Sequence, residues 1–291
     1  MGTKYLNQTL SAKVRAQALL EELSLEEKMA QVNCIFRFGE GYQDYKSIEK
    51  STPFGIGQVS TLEMRRIQTL EEAARWQKKV QTIIVENSPH NIPAIFHMEG
   101  LCGAFIQDAA SFPSGIGRGS GWDPKLEEQI GEIVSRQEAA CGITHVLAPV
   151  LDISRDSRMG RQGETYGEDP ALASALGAAY TRGIQKNETA GRKTESVAKH
   201  FLAFHNSQGG IHGTHSSTTE RELREIYAKP FQAAVRESHL RGIMPCYCSI
   251  DGELVHSSKK LLSRLLLEEM GFDGIFVSDY GGLGYVHHEL N

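Results

Sequence analysis

Asp279 ends the run Gly274-Ile-Phe-Val-Ser-Asp279, a carboxylate set directly after a largely apolar segment. An unpaired charge in a core is costly or neutralises itself. Such a residue belongs at a mouth or edge, where a nearby Arg or Lys keeps it ionised. An ionised, positioned carboxylate can attack an anomeric carbon. It can equally cap a loop, since Gly281 and Gly282 follow. Lys199-His200 stands in the same position after Ser196-Val-Ala. A lysine there could form a Schiff base, the pair could donate hydrogen bonds to a polar substrate, or the lysine could simply neutralise a carboxylate. The densest charge lies in Asp152-Ile-Ser-Arg-Asp-Ser-Arg158-Met-Gly-Arg161-Gln-Gly-Glu164-Thr-Tyr-Gly-Glu168-Asp-Pro170. Arginines three apart can fork hydroxyls or brace carboxylates. Arg158 is read as a site residue; Glu164, Glu168 and Asp169 are read as a structural ion-pair knot.

Other clusters carry less. His97, His200, His205, His212 and His215 form no compact ligand signature, so no metal is expected. Gly115-Ile-Gly-Arg-Gly-Ser-Gly121 matches neither phosphate-loop nor dinucleotide spacing and reads as a turn with close backbone contacts. Cys34, Cys102, Cys141, Cys246 and Cys248 are odd in number and irregularly spaced, and read as reduced thiols.

The elements that must position these groups alternate. An amphipathic stretch over 11–33 contains the capping-box spacing Ser24/Glu27, where it can break in two. A strand over Gly55 to Ser60 follows, then a helix over Ala73 to Val85 behind Thr69 and Glu72. Strands are expected at Pro93 to His97, Thr144 to Pro149, Ser196 to Lys199, Gly242 to Cys248 and Gly274 to Asp279. Helices are expected over 124–140, over 170–186, from Thr219 to about Ser238, and over 258–270 up to Gly271. Residues 203–218, rich in Gly, His and Ser, read as a long loop. Six short apolar strands with helical crossovers imply a parallel sheet buried on both faces. His97, Glu99, Asp152, Lys199, His200, Tyr247 and Asp279 all fall at strand ends, which favours a (β/α)8 barrel over an open sheet. The barrel is read as incomplete at the C-terminus, because only twelve residues follow Asp279 in a chain of 291.

Hydrophobic residues make up 40% and charged residues 23%, with a net charge of -5 and no basic stripe. This argues against nucleic acid as a partner. No apolar run approaches a membrane span and the N-terminus shows no secretory signal, so a cytoplasmic protein is expected.

Taken in order, several segments resemble glycoside hydrolase family 3, from about Leu19 onward. They are Ser24-Leu-Glu-Glu-Lys-Met-Ala-Gln31, then Ser111-Phe-Pro-Ser with Gly121-Trp-Asp-Pro124. Arg155-Asp-Ser-Arg-Met-Gly-Arg161 with Glu164-Thr-Tyr-Gly-Glu-Asp-Pro170 is the most specific. Lys199-His200-Phe201 and Met270-Gly-Phe-Asp-Gly274 through Val277-Ser-Asp-Tyr280 complete the series. The resemblance implies a retaining exo-β-glycosidase acting on glucosides or xylosides without a cofactor. It implies Asp279 as nucleophile, Arg158, Lys199 and His200 as ligands of the sugar, Tyr247 beside the nucleophile, and Met244 lining the same subsite. Glu99 falls where many family glucosidases carry aspartate, and the longer side chain is similar to the xylosidase choice. Met159 and Tyr280 each stand where tryptophan is frequent. His215-Ser216-Ser217 lacks the Asp-Ser-His dyad of the family's N-acetylglucosaminidases. The family's acid/base is usually a glutamate from a second domain, so a missing C-terminal domain or complementary chain is implied. Two rival readings are a barrel lyase or aldolase using Lys199 and a non-catalytic sugar-binding fragment.

Overall fold

A computed structural model describes residues 4–36, 39, 41–186, 188–189 and 192–290. Seven parallel strands form one sheet: β1 (Cys34–Ile35), β2 (Gln58–Ser60), β3 (Ile95–Met98), β4 (His145–Val146), β5 (Glu195–Phe201), β6 (Gly242–Pro245) and β7 (Ile275–Phe276). Each pairs in parallel with the next in chain order, which is the order of a barrel wall. No β1–β7 pairing closes the sheet among the described residues. The sheet is nevertheless curled, because Tyr280 after β7 reaches the far wall. Its hydroxyl is 3.2 Å from Ser60 Oγ and its ring 4.5 Å from that of Phe36. The expected incomplete barrel is therefore observed as an open, curled half-barrel. Ile275 and Phe276 on the last strand are 40% and 41% exposed.

Six strands are expected from the sequence, and the main sheet holds seven among the described residues. β1 is only two residues long, too short to show any periodicity. The stretch over 11–33 breaks where its capping box predicts, into helices Ala12–Glu22 and Leu25–Gln31. Glu27 N–H donates to Ser24 Oγ and Ser24 N–H to Glu27 Oε2. Helix Leu70–Asn87 buries Ala73, Trp76, Val80 and Ile84, one face at helical spacing, against Val59 and Phe96. Each large side chain on that face contributes about 1.5–3 kcal/mol of apolar burial. The helix expected from Thr219 onward starts with its capping box, widens into a π turn at Leu223–Tyr227, and resumes over Lys229–Ser238. Pro230, lacking an N–H, cannot donate one turn back, and the helix changes winding there. Lys259–Glu269 also winds as a π helix. Helices Pro124–Ala140 and Pro170–Lys186 cross at Gly131 and Gly183, where a Cβ on Gly183 would lie 2.2 Å from the Glu128 carbonyl. The glycine-rich segment at 115–121 holds a short helix, Gly115–Gly119, pressed against the backbone of Glu164 and Tyr166.

Leu147, Val197, Met244 and Val277 pack together in a layer from neighbouring strands. The larger apolar clusters lie between sheet and helices.

Candidate active site

A regular strand turns neighbouring residues to opposite faces. Lys199 and His200 escape this through an irregularity in β5. Lys199 pairs with Met244 and Phe201 with Pro245, so His200 is the extra residue of a bulge. The Lys199–His200 peptide is cis. Both side chains are buried and reach carboxylates. Lys199 Nζ is ion-paired with Glu99, which follows β3. His200 Nδ1 lies 2.8 Å from Asp152 Oδ2, which also accepts the His200 backbone N–H at 3.1 Å. With Nδ1–H donating to Asp152, Nε2 is left as an acceptor for Arg161 Nη2, 3.2 Å away. Burial above all, opposed by Asp279 and reinforced by Lys199 and Arg161, holds the His200 pKa well below that of a free imidazole. The ring is therefore neutral. Burial likewise raises the Asp152 carboxyl, against the pull of His205, the His200 backbone N–H and Arg161.

Asp279 is buried at the end of the β7 segment. Its Oδ1 accepts the Tyr280 backbone N–H at 2.7 Å. Its Oδ2 is 3.6 Å from His200 Nε2, beyond hydrogen-bond length, and has no hydrogen-bond partner among the described residues. Tyr247 donates its hydroxyl proton to the Tyr280 carbonyl at 2.6 Å. Burial, then the negative charge of Asp279 and a side-chain interaction with its carboxylate, raises the Tyr247 pKa, so the phenol stays protonated. Met244 is buried in the layer with Leu147, Val197 and Val277, in register with Lys199.

Glu99, Lys199, His200, Tyr247 and Asp279 thus gather at one end of the sheet. Arg158 does not join them. Its side chain is 69% exposed and forks Asp156, with Nε at 3.0 Å and Nη2 at 2.6 Å from the two oxygens. Arg161 takes the inward position. It binds Glu164 through Nε and Nη2 at 2.7 and 2.9 Å, touches His200, and is backed by the Phe204 ring at 5.4 Å. The turn Ser157–Met159 and left-handed Gly160 (φ +76) between the two arginines reverse the chain and send them opposite ways. The turn thus decides which arginine of the Arg-x-x-Arg repeat reaches His200. Glu164 serves the ion pair expected of it, and Asp169 caps helix Pro170–Lys186 through the Ala171 N–H. Arg161→Ala should lower the unfolding free energy by about 1–3 kcal/mol, because it leaves half-buried Glu164 without its charged donor, whereas Arg158→Ala, on an exposed pair, should leave it unchanged. Urea unfolding of both variants checks the contrast.

His97 lies behind Tyr280, with Nδ1 3.1 Å from Gln58 Oε1 and Nε2 3.3 Å from the Tyr280 hydroxyl. Burial first, then His145 and Lys199, lower its pKa to about 3. The folded ring stays neutral to about that pH, whereas in the unfolded chain it takes a proton near pH 6.5. Acidification below 6.5 therefore favours unfolding by roughly 1.4 kcal/mol per pH unit from this residue. Urea unfolding of His97→Gln should show a shallower loss of stability than wild type between pH 6.5 and 4.5. Parallel curves would contradict the assignment.

Residues 24–290 match the model of the glycosyl hydrolase family 3 N terminal domain. The chain belongs to this family. Among curated family relatives, a β-xylosidase of Formosa agariphila is 32% identical over 76% of this chain and 32% of its own length. A β-glucosidase of Rhizobium radiobacter is 37% identical over 60% of this chain and 20% of its own length. The chain thus spans about a third or less of these relatives. In structure it resembles a β-glucosidase from Erythrobacter marinus, with a TM-score of 0.89 and 29% identity over 99% of this chain and 38% of that one. A β-glucosidase from Listeria innocua in complex with glucose shares the fold, with a TM-score of 0.83 at 23% identity over 96% and 39%.

Proposed function

We propose that this chain carries the nucleophile and the sugar-binding groups of a retaining exo-β-glycosidase that acts on terminal β-D-glucosides or β-D-xylosides. One observation carries the reading. Asp279 is held at Oδ1 by a backbone N–H while Oδ2 is left without a hydrogen bond, beside neutral His200 and cationic Arg161. A carboxylate so placed can direct a lone pair at an anomeric carbon. Lys199, Glu99 and Arg161 present donors and acceptors for sugar hydroxyls. Because Lys199 and Glu99 orient each other and Glu164 holds Arg161, little reorganisation accompanies binding. Asp152 and Glu164 are engaged with His200 and Arg161, so neither is assigned as proton donor. That role is given to a carboxyl outside this cluster. The Lys199–Glu99 ion pair favours a binding lysine over a Schiff-base lysine.

An activated leaving group needs little protonation. 2,4-Dinitrophenyl β-D-glucoside and β-D-xyloside should therefore each be tried, with a burst of dinitrophenolate close to one equivalent per chain expected from the preferred sugar. Release no faster than in buffer from both would overturn the reading.

A further inference from the structure

Tyr280, the aromatic residue directly after Asp279, is engaged by the opposite wall. Its ring reaches across the sheet to Phe36, Ser60 and His97. Another aromatic surface stands beside Asp279 instead. Tyr247 is flanked by His212, ring centroids 4.8 Å apart, and by Tyr285, centroids 5.2 Å apart. The buried ring of Phe204 backs His212 at 5.0 Å. Tyr247 is buried, but His212 is exposed and Tyr285 is 39% exposed, so the row opens outward from the nucleophile to solvent. The His212 imidazole is near enough to the Asp279, Arg161 and Glu164 charges to sense all three, although burial dominates its ionisation. The three rings come from three segments: the loop after β5, the turn after β6 and helix Gly282–Leu290. Gly213 adjoins the Tyr285 ring, where a Cβ would lie 3.3 Å away, so the loop and the last helix pack directly.

Resting on the reading of Asp279 as nucleophile, we propose that His212 and Tyr285, with Tyr247 between them, form the platform for the leaving-group ring of the substrate. They are specificity-determining residues for an aglycone with an apolar ring face, either an aryl group or the C–H face of a second pyranose. The polar groups that would hold the glycone, Glu99 and Lys199, stand at the ends of β3 and β5, whereas the rings come from the loop after β5, the turn after β6 and the last helix. A glycone gripped by the former projects its anomeric substituent over the latter. Ring stacking and C–H contact reward a flat, apolar face and ignore a methyl group.

The test uses thioglycosides, which are bound but not cleaved, in the gluco and xylo series: methyl, phenyl, and the thio-linked disaccharide. In titration calorimetry the wild-type chain should bind the phenyl or the disaccharide ligand about tenfold more tightly than the methyl one. The variant His212→Ala/Tyr285→Ala should reduce that ratio to below about twofold while leaving the methyl glycoside affinity within twofold. Phenyl and disaccharide ratios read separately tell an aryl from a sugar preference. Circular dichroism confirms folding, and His212→Phe, which keeps a ring, should retain most of the phenyl ratio. An unchanged ratio, or equal loss of all three ligands in a folded variant, overturns the platform while the nucleophile reading stands. No binding of any thioglycoside to wild type overturns both.

Discussion

Asp279→Asn should abolish the dinitrophenolate burst, lowering the glycosylation rate on the order of 10³-fold or more, about 4 kcal/mol of barrier. The argument is chemical. The amide keeps the size and the hydrogen bond from the Tyr280 N–H, but loses the anionic oxygen that must form the bond to carbon. Binding of an uncharged methyl thioglycoside should survive, because Arg161, Lys199 and Glu99 are untouched. Asp279→Ala should behave alike in rate. A burst of wild-type size from either variant would show that Asp279 caps a loop and attacks nothing. Neutralising Asp279 also removes the charge that, after burial, raises the Tyr247 phenol, so the Tyr247 pKa should fall in Asp279→Asn.

Lys199→Met should cost the most stability of any single change at the site. Lys199 is buried, and its partner Glu99 is nearly so. Removing the ammonium strands a carboxylate among apolar strands, which costs on the order of 3–5 kcal/mol. For a chain of 291 residues that corresponds to a Tm lowered by roughly 5–8 °C. The double variant Lys199→Met/Glu99→Gln should recover part of the loss, since the stranded charge is gone. Scanning calorimetry on the three proteins reads the cycle directly. Borohydride added with a carbonyl substrate should trap no adduct at Lys199, because the amine acts here as an ion-pair donor.

Much of this site could be read from residue order. Apolar runs ending in Asp279 and in Lys199-His200 state that charge emerges where strands stop, and helical crossovers make those strands parallel. Capping residues Ser24, Thr69 and Thr219 marked helix starts because their signal is local: one side chain and one N–H three residues on. What escaped depends on geometry that one-dimensional spacing does not carry. The bulge that turns His200 to the same side as Lys199 is a register event between β5 and β6. The choice of Arg161 over Arg158 follows from a tight turn at Gly160. The two-residue strand Cys34–Ile35 exists only because β2 pairs with it. The contact of Tyr280 with the far wall needs the sheet to curl until Ser60 lies within reach. The rim of His212 and Tyr285 joins residues far apart in the chain, one of them in a loop with no periodic pattern.

The most direct measurement is peptide mapping by mass spectrometry after inactivation with 2-deoxy-2-fluoro-β-D-glucosyl and -xylosyl fluorides. The account predicts one fluorosugar per chain, attached at Asp279, with the faster inactivator naming the glycone. A label on any other residue, or inactivation without a covalent sugar, would contradict it.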